Sequence, residues 1–94
     1  MEKKEFLPIG SVVRILKDED AMFMIAGYLP QNSKGERLDY ISVRYPMGAF
    51  NSNVYFFFNH EHIKEVVFKG YESKEFDAFL KIMNGLLAQE KKAK

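Results

Sequence analysis

Cysteine and tryptophan are both absent from this 94-residue chain. Without cysteine there is no disulfide framework, no thiolate metal site and no thiol nucleophile. Neither sign of charge prevails, since 14 basic residues against 13 acidic ones leave a net charge of +1. Nucleic-acid binders usually carry a basic excess or stripe, and here bases and acids are interleaved. No apolar run approaches the roughly 18 residues of a membrane span. The start, Met1-Glu2-Lys3-Lys4-Glu5-Phe6, lacks the apolar segment of an export signal. The expected location is therefore the cytoplasm, with no membrane contact.

What is present fits a folded protein. A hydrophobic share of 47% beside 29% charged residues argues for a globular chain and against disorder. Nine phenylalanines and five tyrosines make the expected core aromatic. The length is that of one domain, read as residues 1–94, with an ordered core over about 6–88 and charged tails.

Leu7-Pro8-Ile9-Gly10 opens the fold as a turn, because Pro8 fixes its own φ and pushes Leu7 toward extended geometry. Residues 11–17 read as a strand with Val13 and Ile15 on one face and Val12, Arg14 and Leu16 on the other. Asp18-Glu19-Asp20 reads as a hairpin turn. Residues 22–29 form the next strand, continuously apolar from Met22 to Ala26 as befits a central one. Gly27 predicts a bulge or a close backbone approach. Residues 30–36 are a loop turning at Lys34-Gly35, without the Gly-Lys-Ser/Thr of a phosphate-binding loop.

Residues 38–45 alternate as a half-buried antiparallel strand, with Ile41, Val43 and Tyr45 on one face and Tyr40, Ser42 and Arg44 on the other. The polar loop that follows carries one aromatic, Phe50, readable as a contact or as a lid on the core. In the next strand Val54, Phe56 and Phe58 point one way and Tyr55 and Phe57 the other. If one face is core, Tyr55 and Phe57 are left for something else to cover. Asn59 suits the N-cap of a short turn, His60-Glu61-His62-Ile63, before a last strand over residues 64–69.

The C-terminal helix has the clearest pattern. Phe76, Phe79, Leu80, Met83, Leu86 and Leu87 recur at spacings of three and four, Ser73 is the expected N-cap, and the stripe stops past Ala88. The fold class is thus mainly β within α+β. It is a five-stranded antiparallel meander, either a curled sheet or an SH3-like, partly open barrel, with one C-terminal amphipathic helix.

Chemistry is sparse. His60 and His62 could share a zinc if they lay on a strand, but on a helical turn their rings diverge. The expectation is that one imidazole closes the corner through a hydrogen bond, with no metal and no cofactor. The serines sit where turns, strands and caps explain them, so the chain reads as a non-enzyme. Tyr40, Arg44, Tyr55 and Lys69 could form an aromatic-basic face for nucleic acid, a second reading that the near-zero net charge disfavours.

Leu7-Pro8-Ile9-Gly10-Ser11-Val12-Val13, Gly27-Tyr28, Tyr45-Pro46 with Gly48, and Phe58-Asn59-His60-Glu61 running on to Val66-Val67-Phe68-Lys69-Gly70-Tyr71 together resemble a small domain-of-unknown-function family of Gram-positive bacteria. The resemblance runs from about Leu7 to the helix. It implies genes placed beside those of type VII secretion and its LXG-type toxins, and so a cytoplasmic accessory or chaperone-like protein. It supplies no catalytic residue. His62 stands where the family pattern favours Asp, which leaves His60 as the single histidine of that pattern and Asn59-His60 as a structural corner. The function expected is a protein-binding accessory module for a secretion component or toxin, with Phe50, Tyr55 and Phe57 as partner-binding residues.

Overall fold

The computed structural model describes residues 5–92, and the side chains of residues 5–90. Most of the two expected charged tails lies outside these residues. Five antiparallel strands are β1 (Val12–Ile15), β2 (Asp18–Tyr28), β3 (Tyr40–Tyr45), β4 (Phe56–Phe58) and β5 (Ile63–Phe68), followed by helix α1 (Lys74–Lys92). Their order in the sheet is β4-β3-β2-β1-β5, so β2 is central, as its apolar run predicts. A one-turn 3-10 helix, His60–His62, joins β4 to β5.

That short link forces the sheet to curl. β4 and β5 lie at opposite edges, and four strand spacings of about 4.8 Å make roughly 19 Å in a flat sheet. A 3-10 turn rises only about 2 Å per residue, so it cannot bridge that gap. The edges must bend toward each other, but no ladder joins β4 to β5 among the described residues. The result is an open, curled sheet and not a closed barrel.

The inner face holds the core: Val13, Ile15, Phe23, Ile25, Tyr40 and Phe58, joined by Phe6 and by Met83 of α1. Its rings meet edge-on, Phe6 with Tyr40 at 5.8 Å and Phe23 with Phe58 at 6.1 Å. Such pairs add about 0.5–1.5 kcal/mol each beyond their burial. Two of the expected faces hold in β1, with Val13 and Ile15 inside. Gly27 makes the expected bulge, and what lies close to it is a side chain, not another backbone. The register slips between Ile25 and Gly27, and a Cβ there would sit 3.1 Å from Ile41 Cδ1.

Three expectations need correction. Asp18-Glu19-Asp20 is not the hairpin turn; Leu16 and Lys17 turn, and the acids begin β2. Cations on neighbouring strands hold them there. Arg44 Nη2 lies 2.9 Å from Asp18 Oδ2, Lys64 pairs with Glu19, and Arg14 Nη1 donates to Glu19 O at 3.1 Å. β3 is not half-buried, because Tyr40 and Ser42 are fully buried inside while Val43 is covered on the other face. The hydroxyls permit this: Ser42 Oγ donates to Phe56 O at 2.9 Å, and Tyr40 is bonded as described below. Phe50 is no lid, being 70% exposed in the β3–β4 loop.

Helix α1 begins as expected, with Ser73 Oγ accepting from Phe76 N at 3.0 Å. It continues past Ala88 to Lys92, so Gly85 is interior to it. A Cβ at Gly85 would meet nothing within 4 Å. Gly85→Ala is therefore expected to stabilise the fold by about 1 kcal/mol, through helix propensity alone. Urea denaturation checks this; an unchanged midpoint would mean that the helix end does not contribute to cooperative unfolding.

Candidate functional site

The histidine corner is built by exchange with β3. Asp39 N donates to Asn59 Oδ1 at 3.1 Å, and His60 N donates to Asp39 Oδ2 at 2.9 Å. Asn59 is the N-cap residue of the 3-10 turn, and its N–H donates to His62 Nδ1 at 3.1 Å. His60 Nδ1 lies 2.7 Å from Tyr40 Oη. That oxygen also accepts from Leu7 N at 2.9 Å, so the phenol links the corner to the opening turn. Both histidines thus engage the protein through Nδ1. Among the described residues no group of three or more His, Asp or Glu gathers as a metal site.

Two tyrosines grip the opening turn. Tyr40 accepts the Leu7 N–H, and Tyr28 Oη donates to Leu7 O. The chain then bends at Gly10, whose φ of +90° suits glycine. Ser11 Oγ accepts from Gly70 N at 2.9 Å, which fastens the end of β5 to the turn. Gly70 must be glycine for space, since a Cβ would lie 2.3 Å from Ile9 O. Segments far apart in sequence, from Leu7-Pro8-Ile9-Gly10-Ser11 through Tyr28 and Asn59-His60 to Gly70, thus form one bonded network. Each of these side-chain groups bonds to backbone or to another member of the network.

Burial pushes the Tyr40 phenol up to about 12, with the nearby Asp39 adding to the rise and the Leu7 hydrogen bond opposing it. Tyr28 moves the same way, through burial and then Tyr40. A phenol whose folded pKa exceeds its unfolded value of about 10 stabilises fully below pH 10 and loses that contribution as pH rises toward 12. From Tyr40 alone the loss at pH 11 is expected to be on the order of 1 kcal/mol. Denaturation at pH 8 and pH 11 should show it, and Tyr40→Phe should narrow the gap. An equal gap in the variant would mean that Tyr40 ionises in the folded state as freely as in water.

The outer face of the sheet has no such network, and much of its apolar surface is exposed around the buried Val12 and Val43. Register places Val12 opposite Met24 and Phe68, Met24 opposite Val43, Met22 opposite Tyr45, and Ile41 opposite Gly27 and Phe57. One apolar face therefore runs across all five strands. Phe57 is 40% exposed there, on the side away from α1, and Tyr55 just before β4 is 45% exposed. At its middle lies a groove of about 400 Å³ lined by Gly10, Val12, Met22, Met24, Tyr45, Val67 and Phe68. Phe50 stands apart, on its loop. The structure brings neither Phe50, Tyr55 nor Phe57 into the groove lining.

Sequence reasoning missed most of that groove. Met22 and Met24 carried a signal, as flexible thioethers in a central strand. Val67 and Phe68 did not, because the register slips between Val12 and Val13. One extra residue in β5 then breaks the alternation on which a face assignment rests. The aromatic-basic face expected for nucleic acid does not form, since Tyr40 is fully buried in the core.

A second apolar strip lies on α1. Met83 is buried and Leu80 and Leu87 pack on the core, while Phe79, Ile82 and Leu86 remain 43–58% exposed. Beside it Arg37 pairs with Glu90, tying the β2–β3 loop to the helix end. α1 is not long and apolar enough to cross a membrane, and neither is any other helix among the described residues.

Comparison with known proteins adds one match. No curated protein and no solved structure matches this chain. A family defined as a domain of unknown function, DUF4176, matches residues 6–79, from the first core residue, Phe6, into α1. The stretch includes the opening turn, the two tyrosines, the corner and Gly70, all members of the bonded network. On that coverage the chain belongs to the DUF4176 family, a domain of unknown function.

Proposed function

We propose that this domain is a non-enzymatic, cytoplasmic protein-binding module, an adaptor or chaperone-like partner of type VII secretion components or their toxins. The observation that carries the reading is the outer sheet face, where Tyr45, Phe57, Val67 and Phe68 are 40–62% exposed around a groove floored by Val12, Met22 and Met24. Contiguous exposed apolar surface of this kind marks interaction sites in soluble proteins. Each half-exposed aromatic offers on the order of 100 Å², so these residues together offer roughly 400 Å², about half of the ~800 Å² per partner of a standard interface. The choice of partner class rests on the resemblance to a family encoded beside secretion and toxin genes.

Co-expression of the domain with the products of its neighbouring genes, followed by co-purification, tests the reading. The wild-type chain should recover a partner at a defined stoichiometry. Phe68→Glu should lose at least about tenfold of that recovery, because burying an unpaired carboxylate costs several kcal/mol. Its circular dichroism and melting should match wild type, since Phe68 is 62% exposed. A chain that stays alone with every neighbouring product present would sink the proposal.

A further inference from the structure

The strand order and the groove say what kind of segment could lie on the outer face. We infer that the groove takes an amphipathic α-helix of the partner, inserted apolar side down between β3 and β5; this rests on the contact role proposed above. Its walls are Tyr45 on β3 and Val67 and Phe68 on β5. β3 and β5 are three strand spacings apart, at most about 14 Å in this curled sheet. An α-helix with its side chains is about 10–12 Å across, so the walls leave room for no more than one helix.

Backbone chemistry decides against an extended peptide. β1 and β2, which floor the groove, are each paired on both sides. Their N–H and C=O groups are used within the sheet and face neighbouring strands. An extended segment lying on this face would bury its own backbone polar groups without partners, at a cost of roughly 1–3 kcal/mol each. A helix satisfies its backbone internally and brings only side chains to the surface. The nearby edge, that of β5, carries Lys64 and Glu65 and the extra residue before Phe68, features that discourage strand addition.

Lining chemistry decides against a small ligand and sets the character of the helix. Small-molecule sites place a few convergent polar groups on an apolar wall. Here the side chains are those of Val12, Met22, Met24, Val67 and Phe68, with only the Tyr45 hydroxyl as a polar group. Charges beside the groove are already matched: Arg14 lies 3.5 Å from Glu65, and Lys69 lies 3.3 Å from Glu72. The helix is thus held by aliphatic or aromatic anchors at i, i+3, i+4 and i+7 and needs no net charge of either sign. The two methionines on the floor adapt to anchors of different shape. A second copy's α1, with its exposed Phe79, Ile82 and Leu86, would make a head-to-tail contact that repeats without closing unless a ring forms.

Methyl NMR of the intact protein, labelled at methionine, tests this with three defined probes. The first is a charge-balanced peptide held helical by a hydrocarbon staple, with leucines at the four anchor positions. The second is the same sequence unstapled and broken by two central prolines. The third is an alternating Val/Thr peptide that favours extended structure. The stapled helix should shift the Met22 and Met24 methyl signals to saturation and leave buried Met83 unmoved. It should bind at least about tenfold more tightly than either other probe, and Met24→Glu should weaken it by a similar factor. Equal or better binding of the extended peptide would overturn the helix while leaving a protein-binding face. Absence of shifts with all three would overturn it too, and the co-purification then decides the broader reading separately. Shifts at Met22 and Met24 that grow with protein concentration alone would assign the groove to a second copy and overturn the inference.

Discussion

Replacing Gly70 by alanine is expected to cost at least about 3 kcal/mol of folding stability, a large share of the 5–15 kcal/mol that holds a domain together. The reason is contact with backbone. The new Cβ would lie 2.3 Å from Ile9 O and 2.9 Å from Ser11 N. Neither atom is free to move. Gly10 N donates to Ile25 O at 2.9 Å, Ile25 N donates to Ser11 O at 2.8 Å, and Ser11 N donates to Pro8 O at 3.1 Å. Shifting the turn would break these bonds as well as the bond from Gly70 N to Ser11 Oγ. Gly35→Ala is the control. Its φ is +80° but nothing lies within 4 Å of its Cβ. That substitution should cost only the left-handed strain, about 1–2 kcal/mol. Equilibrium unfolding of the two variants separates steric exclusion from strain, and equal losses would contradict the close packing of β5 against the opening turn.

Met83→Ala is expected to cost about 2–5 kcal/mol, the range for truncating a buried aliphatic side chain. Met83 is 1% exposed and is the one residue of α1 fully buried among those described. It enters a core made by buried residues of β1 to β4 and Phe6, with Ile63 of β5 packed against it. Removing it leaves a cavity that the curled sheet cannot close without breaking its ladders. Met83→Leu, which keeps the volume, should cost under about 1.5 kcal/mol. Guanidinium denaturation reads both. A loss below 1 kcal/mol for Met83→Ala would mean that α1 rests on the sheet without completing its core.

Some of this was visible in the sequence because it is local. The helix stripe, the Ser73 cap, the bulge at Gly27 and the turn at Gly35 each depend on residues a few positions apart. The inward pointing of Val13 and Ile15 follows from alternation alone. Other features depend on partners brought from far along the chain. Tyr40 and Ser42 go inside because Leu7, His60 and Phe56 meet their hydroxyls. The acids at the start of β2 stay in a strand because Arg14, Arg44 and Lys64 arrive beside them. The groove was the least legible part. Its floor comes from β1 and β2 and its walls from β3 and β5, and one extra residue in β5 shifts the wall out of phase.

The same division separates scaffold from surface. Of the residues that carried the family resemblance, Leu7, Tyr28, Asn59, His60 and Gly70 hold turns and strand ends, while Val12, Tyr45, Val67 and Phe68 line the groove. The proposed contact is made mostly by side chains left exposed on the outer face. Removing a scaffold group should therefore lower stability, and charging the outer face should lower partner recovery alone.

Partner recovery from the co-expressed gene neighbourhood, compared between Phe68→Glu on the outer face and Ile82→Glu on the exposed strip of α1, tests that claim most directly. Both residues are well exposed, at 62% and 58%, so both variants should fold and melt as wild type does. The expected result is recovery reduced at least about tenfold by Phe68→Glu and unchanged by Ile82→Glu. Full recovery with Phe68→Glu, and loss with Ile82→Glu, would contradict it and move the contact from the sheet to the helix.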